Sequence, residues 1–217
     1  MLKESEFRFL ITVFGLLKKK IKKIFFYLLE ELFMNKYIKH FKTITKHRRI
    51  VRHYCFKCGQ YKRGLLHDLS KYSPVEFWTS ARYFQGTYSP IDAEKNEKGY
   101  SLAWQHHKGH NPHHWEYWID NVGTRKNTPI KIPYPYLIEM LCDWIGAGKT
   151  YSKEKWTQEE PYNYYMKVKD SRIINPRSEK VIIYMLEIIR DEGLKKFCWL
   201  ARHPKESKVL TNYINGE

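Results

Sequence analysis

The chain has 217 residues, 42% of them hydrophobic and 29% charged, with 9 Pro and 11 Gly. That excludes a disordered chain and allows one sizeable core, a single domain with extensions. The net charge of +16 is uneven: residues 1–63 hold 17 Lys and Arg against 4 Glu, and residues 64–217 hold 22 against 19 acidic residues. A basic front end on a near-neutral body suits a solvated lysine face, an anionic membrane, nucleic acid or a phosphorylated ligand.

Residues 4–33 read as one basic amphipathic helix. Phe7, Leu10, Phe14, Leu17, Ile21, Ile24, Leu28 and Leu32 recur at three-and-four spacing, with Lys18, Lys19, Lys20, Lys22 and Lys23 on the other face. Its apolar run is far short of the ~20 residues of a bilayer span. Residues 1–33 are thus an extension that packs on the body, pairs with another copy, or lies on a membrane surface. Met34 as the true start of the chain is a further reading.

A second helix is expected from Lys36 to Gln60, with Tyr37, Ile44, His47, Val51, Tyr54 and Cys58 as its inward stripe and His53 on a polar side. Cys55 and Cys58 have the spacing of half a zinc or redox motif, but no second pair exists, so packing is expected. Four cysteines without a signal-peptide pattern imply free thiols and a cytoplasmic setting, peripheral to a membrane if the first helix docks there.

A third helix ends near His67-Asp68. Ser73-Pro74-Val75-Glu76 then opens a fourth, with Ser as cap, Pro at the first position and Glu reaching back in a capping box, running to about Gln85. Residues 86–99 read as a loop and Tyr100 to Gly109 as a fifth helix. Five of the ten histidines follow within nine residues, His106 to His114, among Trp and Tyr. Asn111-Pro112 reads as an N-cap and first helical position, so His107 closes one helix while His113 and His114 open the next.

Residues 119–132 are a polar loop, with a small hairpin around Gly123 as one form. Pro133 and Pro135 start a helix to about Gly146 whose stripe is Tyr136, Met140, Asp143 and Ala147. Asp143 is a carboxylate on an apolar face and needs a cation or donors. Beyond Thr150 the pattern is structural. Asn175-Pro176 precedes a helix Val181 to Arg190 that Gly193 stops, and Leu194 to Leu200 forms a last short helix. Residues 34–150 form the core and 151–217 the C-terminal part of the same domain.

His67 and Asp68 are adjacent at a helix end, after an apolar run and before Ser70-Lys71, which is half of a metal site. The order His47, His67-Asp68, the histidine cluster, Asp143 resembles the HD-domain superfamily of metal-dependent phosphohydrolases, and His67-Asp68-Leu69-Ser70-Lys71 is similar to that superfamily's doublet with its small residue and lysine. More narrowly, the helix around His47, residues 64–77 and His107-x-x-x-Asn111-x-His113-His114 resemble a family of bacterial and phage proteins known only as a domain of unknown function. The resemblance covers about Met34 to Lys149.

It implies an all-α, HD-domain-like helical bundle carrying the N-terminal amphipathic helix. It implies one metal held by His47, His67, Asp68 and Asp143. The extra histidines suggest a second metal on His107 and either His113 or His114, with Asp68 bridging. Imidazoles and carboxylates suit Mn, Fe, Co, Ni or Zn. The activity implied is hydrolysis of a nucleotide or another small phosphate ester. In it Lys71 pairs with a phosphate oxygen, unless it is only a solvated helix-end cation, and Glu116 carries a proton. Two other readings remain: a di-iron oxygenase, as in some HD-fold proteins with an extra histidine pair, and a non-enzymatic helical module with a structural metal on a membrane or nucleic acid. The non-enzymatic reading ranks last, because no aromatic-basic nucleic-acid motif is present.

Overall fold

Nothing between Phe33 and Lys36 breaks a helix, since Met34 and Asn35 are neither proline nor glycine. In the computed structural model, which describes residues 4–123 and 125–216, the two expected N-terminal helices are accordingly one, α1, Glu4–Lys57, of 54 residues. The side chains of Phe7, Leu10, Phe14 and Leu32 lie outside the described residues. Leu17, Ile21, Ile24 and Leu28 are exposed. The inward stripe behaves as expected from its spacing: Ile44, His47, Val51 and Cys58 are buried, and His53 is exposed.

The chain is predominantly helical, with ten α-helices and one two-stranded hairpin among the described residues. The element at the centre is α6, Tyr134–Tyr151. It is apolar nearly all round, and Leu137, Ile138, Leu141, Cys142 and Ile145 are fully enclosed. It runs five residues past the expected Gly146 stop, because Gly146 is no terminator here: it lets α1 approach. A Cβ on Gly146 would overlap Val51 Cγ2 and come within 3.5 Å of His47 Cε1.

On one side α6 meets α8 (Pro176–Asp191), α9 (Gly193–Arg202) and α10 (Lys208–Asn215). They contribute Ile182, Met185, Leu186, Ile189, Phe197 and Leu210 to the same core. Asn175 caps α8, its Oδ1 accepting from Arg177 N at 3.1 Å. As expected, the helix stops before Gly193: α8 ends at Asp191, and Gly193, at φ 88°, turns the chain into α9. One expectation fails at this end: 194–200 is not the last helix, because Ser207 caps α10 by accepting from Leu210 N at 3.4 Å. A further helix, α7 (Glu160–Val168), was not foreseen. All four cysteines are free and buried, with Cys142 Sγ 3.9 Å from Cys58 Sγ, so they pack as expected.

On the other side lie α2 (Tyr61–Leu66), a 3-10 turn Leu69–Tyr72, α3 (Pro74–Tyr83), α4 (Pro90–Lys98) and α5 (Leu102–His110). Residues 90–98, expected to be loop, form α4 because Pro90 sits at its first turn, Asp92 favours its N-terminus and Gly99 closes it at φ 79°. Residues 113–114 do not open an α-helix; a turn leads into a 3-10 segment, Trp115–Trp118. The reason is that Asn111 faces backwards: its Nδ2 donates to the His107 carbonyl at 2.7 Å and caps the end of α5. The hairpin around Gly123 is present, β1 (Ile119–Val122) antiparallel to β2 (Arg125–Pro129).

Candidate metal centre

Four elements converge here, and local chemistry aims each one. On α1, His47 occupies the stripe that faces α6, where Asp143 waits one turn before Gly146. His67 caps the end of α2, its N–H donating to the Arg63 carbonyl at 2.8 Å. The next residue, Asp68, takes a left-handed conformation at φ 54°, which Asp tolerates better than most side chains. Arg48 of α1 locks this turn, its Nε donating to the His67 carbonyl at 2.7 Å and its Nη2 to the Leu65 carbonyl at 3.2 Å. His67 and Asp68 thereby both point inward.

Asp68 sits in the middle, fully buried. Its Oδ2 lies 3.3 Å from both His47 Nε2 and His67 Nε2, and 2.5 Å from Lys71 Nζ. Its Oδ1 lies 3.3 Å from His107 Nε2 and 3.5 Å from His113 Nε2. Asp143 Oδ1 completes the first group, 3.0 Å from His47 Nε2 and 3.4 Å from His67 Nε2. Three sets of ligand atoms result, each close enough to hold one ion: His47, His67, Asp68 and Asp143; Asp68, His107, His113 and His114; and a smaller one of His67, His113 and Glu139. All seven expected ligands are brought together. His113 and His114 both belong to the second set.

The buried charges bear on one another. Burial alone would push the Asp68 carboxyl up, yet His67, Lys71 and His107 hold it well below the usual carboxylate range. Asp143 is likewise held down against burial, by His47 and His67. Burial works against charge on His67, but Asp68, Asp143 and Glu139 raise it well above an ordinary imidazole. His114 goes the other way: burial, then His113 and His107, push it well down, leaving the neutral form that ligates metals.

Two carboxylates escaped the reading of the sequence. Glu139 Oε1 is 3.0 Å from His67 Nδ1 and 3.2 Å from His113 Nδ1, so it orients one histidine of each of the first two sets and leaves both Nε2 atoms facing Asp68. Its signal was its position one turn before Asp143. Glu76 does not reach back in a capping box. Ser73 Oγ accepts from Glu76 N at 3.4 Å, but the Glu76 carboxylate turns to His107 Nδ1 at 2.7 Å and His106 Nδ1 at 2.6 Å. Ser70 and Asn111 brace His107 from the side.

A cavity of about 510 Å³ opens onto the centre, lined by His47, His107, His114, Asp143 and Lys71 and walled by Trp104, Trp115, Trp144 and Tyr151. Glu116 lines it too, and burial raises its pKa.

A family model described as a family of unknown function, DUF5662, matches residues 36–188. The chain belongs to DUF5662. Every residue of the centre falls within the DUF5662 match. No HD-domain family model matches, and no curated protein or solved structure does.

Proposed function

We propose that this DUF5662 protein is an HD-like, dinuclear metal-dependent phosphohydrolase acting on a nucleotide or another small phosphate ester. The observation that carries the reading is Asp68: a buried carboxylate whose two oxygens face different histidine sets, Oδ2 also meeting Lys71 Nζ at 2.5 Å and Oδ1 having no hydrogen-bond partner. His113 Nε2 and His114 Nε2 are buried without partners as well. Buried acceptors of this kind are costly unless something positive satisfies them, and a divalent ion in each of the first two sets does so. The donor set therefore fits the metals.

His47, His67, Asp143 and Asp68 Oδ2 would hold one ion, and Asp68 Oδ1, His107 and His113 or His114 the other. Such ions acidify water and neutralise charge on a phosphoryl group. The chain's own residues supply the rest. Lys71, with burial opposing its charge and Asp68 and Asp143 holding it cationic, offers a fixed positive group to a phosphate oxygen. Glu116, its carboxyl kept protonated to higher pH by burial, donates a proton to the departing oxygen. The cavity has the size of a small-molecule site, and its tryptophans exclude water and suit an organic group.

The test is elemental analysis of protein purified without added metal, paired with a panel of nucleotides and phosphate esters. The reading expects close to two ions per chain and phosphate release from a panel member, both abolished in Asp68→Ala. A metal-loaded protein inactive across the panel would overturn hydrolysis, and iron with oxygen consumption would replace it with the oxygenase reading.

A further inference from the structure

We propose that the outer face of α1 docks on an anionic membrane surface. Every described side chain from residue 15 to residue 28 is exposed, so nothing in the described chain covers this part of the helix. Leu17, Ile21, Ile24 and Leu28 form one row at four-three-four spacing, each about half exposed or more. From Leu28 to Lys39 is eleven residues, three helical turns, so the row continues on the same face. There it changes character. Lys39, Lys42, Lys46, Arg49, His53 and Lys57 recur at three- and four-residue spacing, all exposed and opposite the stripe that faces the core. Arg202 of α9 joins Arg49, Arg52 and Lys57 around an open groove of about 590 Å³ with no acidic residue in its lining.

One face of one helix is thus apolar for its first half and basic for its second. A second copy of the chain matches only part of this. Paired parallel, it would set basic row against basic row; paired antiparallel along the apolar row, it would leave the basic row uncovered. Nucleic acid would match the basic row and leave the leucines and isoleucines in water. A bilayer interface with anionic headgroups matches both, taking apolar side chains into the acyl boundary and drawing lysines and arginines to the headgroups. No helix among the described residues is long and apolar enough to cross a membrane, which makes this contact one along the surface.

The experiment is cosedimentation of the full chain with phosphatidylcholine vesicles, with and without phosphatidylglycerol, at low and high salt. The expected result is binding to the anionic vesicles alone, lost at high salt. Ile21→Glu with Ile24→Glu, and separately Arg49→Glu with Arg52→Glu, each weaken it roughly tenfold or more. All four side chains are exposed, so thermal stability and metal content stay at wild-type values. The proposal is overturned by equal binding to both vesicle types or by none at low salt. It is also overturned by DNA or RNA binding without vesicle binding, or by a dimer that the Ile21/Ile24 variant dissociates while vesicles stay unbound. None of these results depends on the activity of the metal centre.

Discussion

Gly146 of α6 and Val51 of α1 touch backbone to side chain, with no room between them for a Cβ. The contact sits one turn from both His47 and Asp143, whose Nε2 and Oδ1 are 3.0 Å apart. It fixes how closely α1 and α6 approach, and so whether ligands from the two helices can share an ion. Gly146→Ala should overpack this seam at a cost of about 1–3 kcal/mol, read by chemical denaturation. Metal affinity, read by competition with a chromophoric chelator, should fall as well, whereas substitution at exposed Gly15, whose added Cβ would meet nothing within 4 Å, should leave metal affinity unchanged.

Glu139 acts through the histidines it holds. Glu139→Gln keeps the shape but weakens the acceptor for His67 and His113, and carboxylates in this position typically change metal affinity by about 10–100-fold. Isothermal titration should show weaker binding of both ions with little change in fold by circular dichroism. Loss of only one ion would mean that Glu139 serves a single histidine.

The metals should contribute to stability. Ligand that binds only the folded chain, present at a hundred times its Kd, adds about 2.7 kcal/mol. Prolonged chelation should therefore lower the thermal midpoint, and re-addition of metal should restore it. An unchanged midpoint would count against bound metal in the starting protein.

The thiols give a test of the core. Cys55, Cys58, Cys142 and Cys198 are free and buried. A thiol reagent should react slowly or not at all with the native protein and with four thiols after unfolding. Fewer than four in denaturant would reveal a disulfide.

What the sequence made legible was periodic or local. His47 and Asp143 stood out because each is polar on an apolar helical stripe, and the stripe's spacing survives any tertiary detail. The histidine tract between His106 and His114 was visible by density alone. What escaped depends on partners distant in sequence. Glu139 meets His67 across 72 residues, and its one local signal, a position one turn before Asp143, does not name that partner. Glu76 was misread because Ser-x-x-Glu fits a capping box perfectly well; two imidazoles on α5 compete for the carboxylate and win. Asn111 shows the same failure in reverse: Asn-Pro signals a helix start, but the asparagine side chain serves the helix behind it. The join between residues 33 and 36 was expected to break only because the side-chain pattern changes there, and a change of pattern is not a breaker.

One consequence follows from the single Glu139 oxygen placed between His67 and His113. A ring rotation or a tautomer exchange at either histidine alters the acceptor seen by the other. Two ions bound in the flanking sets would then share a coupling free energy, and by linkage each would change the other's affinity by the same factor. The two sets would then not load as independent sites, and a titration of one ion would depend on the occupancy of the other.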